Sequence, residues 1–228
     1  MKDFKKLESR IAINFKDKDL LRQAFIHRSY LNEHPKFELH NNERLEFLGD
    51  AVLELVVTEY LYKNYPNPEG ELTNWRASLI KGETLSKVAR KLGFNDYLFL
   101  SRGEAKSTGR ARDLILANNF EAVIGAIYLD QKLEATSIFI NKYLIKELPE
   151  ILEKKLYTDP KSRFQELAQD KAKITPVYKV LKEEGPDHNK VFTVGVYLED
   201  KLAGSGQGPS KQAAELEAAA SALKLYKF

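Results

Sequence analysis

The 228 residues suffice for one large domain or two unequal ones. Composition is globular, 43% hydrophobic and 30% charged, and a formal charge of +3 excludes both a histone-like cation and an acidic solvating tail. The absence of cysteine excludes disulfides, thiol catalysis and cysteine-held zinc, and agrees with a reducing compartment.

The opening segment, MKDFKKLESRIAINFKD, has no apolar run of signal-peptide length, and no later stretch reaches the roughly 18 apolar residues of a membrane span. A soluble, cytoplasmic protein with no membrane partner is expected. As far as residue 150 or so the pattern is helix after helix. Asp17 or Asp19 is placed to cap a helix through Leu20, Leu21, Ala24 and Phe25. Asn41 or Asn42 can cap a longer one, with Leu45, Leu48, Val52, Leu53 and Val56 at helical spacing. Tyr65-Pro66-Asn67-Pro68-Glu69-Gly70 interrupts it. One helix carrying Ile80, Leu85, Val88 and Leu92 is predicted next and ends at Gly93. Ser101 to Gly109 is a polar loop, and helices at about 112–129 and 132–147 follow. No segment alternates, so residues 1–153 are assigned to an all-α domain.

A short polar linker, 154–159, meets a proline at 160. After one helix at about 161–172, the stretches VYKVLKEEG, KVFTVGVYLED and KLAGSGQG take the strand period. Gly185-Pro186-Asp187 and Glu199-Asp200 supply the turns between them, and an alanine-rich helix from Ser210 to about Tyr226 closes the pattern. Residues 160–228 are therefore predicted to form a small α+β domain of order α-β-β-β-α, with both helices on one face of an antiparallel sheet. That part holds 11 Lys+Arg and 9 Asp+Glu, or +2, and the rest +1. Net charge thus reveals no nucleic-acid binder; clustering and motif must carry any such claim.

Glu43, Glu46 and Asp50 are spaced i, i+3, i+7 and share one helix face. Like charges stacked so repel by a few tenths of a kcal/mol each, and the helix gains nothing structural from them. A hard divalent cation such as Mg²⁺ would compensate. Asn118 and Glu121, at i, i+3, lie on a second helix whose neighbours Leu116, Phe120, Val123, Ile124 and Ile127 mark it as core. Docking that face on Glu46 and Asp50 would assemble four oxygen ligands. The competing reading makes these acids a solvated face or ion pairs with Arg44 and Lys81.

The run Asn41-Asn42-Glu43-Arg44-Leu45-Glu46-Phe47-Leu48-Gly49-Asp50-Ala51-Val52 resembles the signature segment of the ribonuclease III family. Leu21-Arg22-Gln23-Ala24-Phe25-Ile26-His27-Arg28-Ser29-Tyr30 resembles that family's early helix ending in His-x-Ser. Arg76-Ala77-Ser78-Leu79 and Phe120-Glu121-Ala122-Val123-Ile124-Gly125-Ala126 match further segments in order, and the resemblance covers essentially the whole chain. It implies a homodimeric, Mg²⁺-dependent endoribonuclease acting on double-stranded RNA in rRNA and mRNA processing. Mn²⁺ would substitute, no organic cofactor would be needed, and the products would carry 5′-phosphate and 3′-hydroxyl ends. Carried over, Glu46, Asp50, Asn118 and Glu121 hold the metal. Glu46, Asp50 and Glu121 are then the catalytic acids, with Glu43 and Asn118 in support. Phe47 matches an aromatic residue that inserts into the partner subunit; without the motif it reads as a core Phe beside Leu48. Asn118 departs from the family, which usually has Asp there: an amide oxygen still ligates Mg²⁺, but one negative charge is lost. The alternative is a double-stranded RNA-binding protein whose cleavage is weakened or absent.

Residues 160–228 resemble a double-stranded RNA-binding domain through Phe164-Gln165-Glu166-Leu167, Gly185-Pro186-Asp187-His188-Asn189-Lys190 and the glycine-rich entry to the last helix. By that resemblance Gln165, Glu166, His188, Ser210 and Lys211 bind RNA. Lys211 stands at a helix N-terminus, where dipole and ammonium both favour phosphate, and Ser210 caps the same helix. Gln212 stands where the family often has a second Lys, so the positive cluster is thin. Lys106, Arg110 and Arg112 fit equally a set of phosphate contacts and a solvated basic loop.

Overall fold

The computed structural model describes residues 2–157, 159–186 and 190–225. The chain divides into two compact units, Met1–Tyr157 and Thr158–Phe228. The first is built of α1 (Phe4–Ile11), α2 (Lys18–Ala24), α3 (Arg28–Glu33), α4 (Glu43–Asn64), α5 (Glu69–Ile80), α6 (Gly82–Lys91), α7 (Gly109–Tyr143) and α8 (Leu148–Glu153). Its described residues contain no strand, only the isolated bridge between Ile26 and Phe99, so the all-α expectation holds. No helix among the described residues is long and apolar enough to cross a membrane.

The central pair is α4 and α7. Leu45, Val52, Leu53 and Val56 of α4 are buried in one core with Leu116, Phe120, Val123, Ile124 and Ile127 of α7. The two helices meet backbone to backbone. A Cβ on Gly49 would collide with the Glu121 carbonyl oxygen and lie 2.9 Å from the Gly125 nitrogen. A Cβ on Gly125 would collide with the Leu45 carbonyl oxygen and lie 3.2 Å from the Gly49 nitrogen. Beside the crossing, the Ala24 carbonyl at the end of α2 accepts two buried amides, Asn42 Nδ2 at 3.2 Å and Asn119 Nδ2 at 2.8 Å. Asn42 thus precedes α4 without capping it through its side chain, whereas Asp17 caps α2 by accepting from the Asp19 and Leu20 amides.

One boundary differs from the sequence reading. The helix expected to run through Ile80 and Leu92 is two helices, because Lys81 is extended (φ −63°, ψ 145°). The break is held by Thr84, whose hydroxyl donates to the Ser78 carbonyl at 2.8 Å. The two helices expected on either side of residue 130 are both present within the α7 range, and they meet at Lys132, where a φ of 68° kinks the chain. After α8, Leu156 and Tyr157 fold back on α5: the Leu156 carbonyl accepts from Ser78 Oγ at 3.3 Å, and Tyr157 packs edge-on against Trp75.

The second unit comprises α9 (Pro160–Ala172), β1 (Val177–Glu184), β2 (Val191–Leu198), β3 (Lys201–Gly208) and α10 (Lys211–Leu225). The sheet is antiparallel with order β1-β2-β3. Phe164 and Ala168 of α9 and four alanines of α10 share a core with Val194, Val196 and Leu198, which confirms the α-β-β-β-α arrangement. Glycine at every second place of β3 would ordinarily weaken a strand. Here Gly204, Gly206 and Gly208 face α10 closely: a Cβ on Gly204 would stand 2.6 Å from the Ala222 nitrogen, and one on Gly208 2.7 Å from the Ala214 nitrogen. The strand forgoes side chains so that an alanine-faced helix can lie on it.

The glycine crossing is open to test. Gly49→Ala should destabilise the protein by about 1–3 kcal/mol in urea unfolding, the usual penalty for overpacking. Gly70→Ala, in a helix and with no atom within 4 Å of the added carbon, should be neutral or slightly stabilising.

Candidate active site and nucleic-acid interface

The glycine contact determines what stands beside it. Glu46 and Asp50 flank Gly49 on α4, and Asn118 and Glu121 precede Gly125 on α7. Glu46, Asn118 and Glu121 are half-buried, whereas Glu43 and Asp50 are exposed. The side chain of Asn118 lies beside Glu46 and favours its charged form. Burial, then the neighbouring charges of Asp50 and Glu46, pushes the Glu121 carboxyl up to about 8. Glu46 is also raised, by burial first and then by Glu43 and Asp50, against the opposing effect of Asn118.

Among the described residues no Lys or Arg pairs with Glu46, Asp50 or Glu121. Lys81 pairs with Glu83 at 3.4 Å, and Glu43 pairs with Arg28 at 3.7 Å. The acids face one another without closing into a preformed cage: no group of three or more His, Asp or Glu among the described residues is arranged to hold an ion. The donor chemistry nevertheless fits a hard divalent cation. Three carboxylates and one amide oxygen are its preferred ligands, and their mutual repulsion has no other neutralising partner.

Phe47 is 82% exposed, so it is not a core residue. Leu55 and Tyr62, eight and seven residues further along α4, continue the exposed stripe at 55% and 79%. Near its end a pocket of about 640 Å³ opens among Thr58, Leu61, Tyr62, Tyr65, Leu72 and Arg76. The two readings of the basic loop also separate. Arg112 is buried and donates to the carbonyls of Glu104, Ala105 and Ser107 at 2.7–3.3 Å, so it clamps the loop from inside. Lys106 and Arg110 remain exposed.

In the second unit Gln165 and Glu166 are exposed side by side on α9. Ser210 Oγ accepts from the Ala213 amide at 3.1 Å, capping α10. Lys211 is exposed but not free: its Nζ lies 3.2 Å from Glu183 Oε1 and 5.6 Å from the centroid of the Phe192 ring. His188 lies outside the described residues. Sequence reasoning missed Asn42, Asn119 and Glu183. An Asn inside the apolar run LILANNFEAV was a readable sign of a buried amide; Glu183, in an ordinary charged strand, gave none.

Comparison with known proteins agrees with this arrangement. Residues 17–148 match the family model described as ribonuclease-III-like, and 160–226 match the double-stranded RNA binding motif. The chain belongs to the ribonuclease III-like family. It is 47% identical to Ribonuclease 3 of Streptococcus pneumoniae, covering 96% of this chain and 94% of that one. To Ribonuclease 3 of Enterococcus faecalis it is 45% identical, covering 96% and 95%. Among solved structures, the nuclease domain of ribonuclease III from Campylobacter jejuni superimposes with TM-score 0.58 at 38% identity, over 64% of this chain and 99% of that domain. That structure is described as showing flexibility in the region involved in its dimer formation.

The displaced Glu121 carboxyl has a consequence for stability. Its folded value of about 8 lies above the ordinary 4.5, so the metal-free folded state keeps a proton that the unfolded chain releases. Stability in EDTA should therefore fall as pH rises from about 5 to 8, and Glu121→Gln should flatten that slope. Urea unfolding across this range, with and without the substitution, measures it.

Proposed function

We propose that the chain hydrolyses phosphodiester bonds of double-stranded RNA with a divalent metal, Mg²⁺ in the first place and Mn²⁺ in substitution, leaving 5′-phosphate and 3′-hydroxyl ends. The observation that carries this reading is the meeting of exposed Asp50 with half-buried Glu46, Asn118 and Glu121, the three acids without a Lys or Arg partner among the described residues. These four side chains would hold the metal, which when bound polarises water and offsets charge on the scissile phosphate. The chain's own contribution is positional. Asn118 lies beside Glu46 and favours its charged form, and the core around Phe120 and Val123 limits water around Glu121. Glu121, raised to about 8, would have to give up its proton to hold a cation. Glu43, exposed one turn before Glu46, supports the site from the rim.

Residues 1–153 form the catalytic module in this reading and 160–228 the RNA-binding one, joined at 154–159. Gln165 and Glu166 approach one minor groove, and Ser210 and Lys211 meet the intervening phosphates. His188, outside the described residues, completes the RNA-binding set in this reading. Cleavage of a long RNA duplex to short products in Mg²⁺ tests the proposal. Glu121→Ala should slow that cleavage by at least about a hundredfold while duplex binding persists. Binding by the parent chain without any cleavage would instead favour an RNA-binding protein disabled at Asn118.

The active form is a homodimer built on α4. Leu55 is near the midpoint between Phe47 and Tyr62, which are about 22 Å apart along the helix. A second copy of α4 crossing antiparallel at Leu55 would bring each Phe47 to the other copy's pocket beside Tyr62. Burying Phe47 would remove an exposed ring worth about 1.5–3 kcal/mol per subunit. Phe47→Glu should convert the sedimenting species from dimer to monomer at micromolar concentration; an unchanged dimer would rule this interface out.

A further inference from the structure

We infer that Glu183 is a built-in competitor of RNA at Lys211, and that it weakens duplex binding by the second unit. The inference rests on the reading of Lys211 as a phosphate contact. Lys211 is the first residue of α10, where the positive end of the helix dipole adds to its own charge. The first turn of α10 carries no acid of its own. The carboxylate that reaches the ammonium comes from β1: Glu183 Oε1 stands 3.2 Å from Lys211 Nζ. Strand alternation turns Glu183 and Glu184 to opposite faces, and Glu184 pairs with Lys182 at 2.7 Å. Phe192, the β2 partner of Glu183, lies under the same ammonium and holds it in place.

An incoming phosphate must therefore displace a carboxylate already seated. Glu183 acts intramolecularly, at an effective concentration that a lone phosphate does not match. A duplex pinned at the same time on Gln165 and Glu166 also presents its phosphate intramolecularly, so it competes on equal terms. Once displaced, Glu183 remains beside the RNA backbone and retains a cation there. The contact then releases fewer counterions than an unpaired lysine would. Affinity and salt dependence are both lower than the helix terminus alone would give.

The test is Glu183→Gln in the full chain, with binding to an RNA duplex followed across a KCl series in EDTA so that metal-dependent cleavage does not intervene. The substitution keeps size and removes charge at a site 41% exposed, so the sheet should be unaffected. The expected result is roughly twofold to fivefold tighter binding at low salt. The slope of log affinity against log salt should steepen by up to about one unit. Both changes should disappear in a Lys211→Ala background, since the two residues act as a pair. If Glu183→Gln changes nothing while Lys211→Ala weakens binding, the competitor is disproved and Lys211 stands as a phosphate contact. A tightening that survives in the Lys211→Ala background is a general charge effect and also overturns it. If Lys211→Ala leaves affinity and slope unaltered, the phosphate reading of Lys211 fails, and the inference with it.

Discussion

The approach of α4 to α7 without intervening side chains is the constraint on which the helical unit depends. Gly49 and Gly125 let each helix seat its backbone against the other, and that closeness sets where every flanking residue can go. Acids on both helices then stand near enough to raise one another's carboxyls. Separation by even one methyl group on either side would open the crossing and admit water between Glu46 and Glu121. Packing, in this sense, precedes the electrostatics: the glycine contact fixes the geometry, and the unusual carboxyl follows from it.

The acids work against folding, and their surroundings show how the unit tolerates them. Asn42 and Asn119 converge on one carbonyl of α2, anchoring both central helices beside the crossing with neutral, directional bonds. An amide at 118 adds no charge beside Glu46, whose charged form it favours where a fourth carboxylate would repel it. Elsewhere buried acid is neutralised in the ordinary way. Glu147 is desolvated, but Lys91 and Lys87 at 2.7 and 2.9 Å more than offset this and hold its carboxyl below the usual range. Glu147 and Glu121 differ in this: one buried acid is neutralised by two lysines, the other is pushed up by burial and by two further acids.

Much of this was legible in the sequence, for definite reasons. The change from helical to alternating period near residue 177 is a property of side-chain direction and needs no tertiary information. The spacing of Glu43, Glu46 and Asp50 likewise fixes a shared face. Which face meets which is not a matter of spacing, and only the motif resemblance joined Asn118 and Glu121 to them. The split between α5 and α6 escaped because its cause is a Thr84 hydroxyl returning to Ser78, with no proline to announce it. Phe47 and Arg112 show both limits of composition as a guide. A phenylalanine stands outside and an arginine inside, each because of what its neighbours offer: a bare helix stripe in one case, three converging loop carbonyls in the other.

The seam between β3 and α10 bears on how this protein is free to change over generations. Gly204, Gly206 and Gly208 against Ala214, Ala218 and Ala222 leave no room for a larger residue, so the inner side of the helix is frozen. Lys211 and Gln212 lie on the exposed side and bear no share of that fit. Charge on the outward surface can therefore drift in either direction without altering the register of helix on strand. Affinity for a polyanion and integrity of the scaffold are inherited through separate positions, and selection on one need not disturb the other.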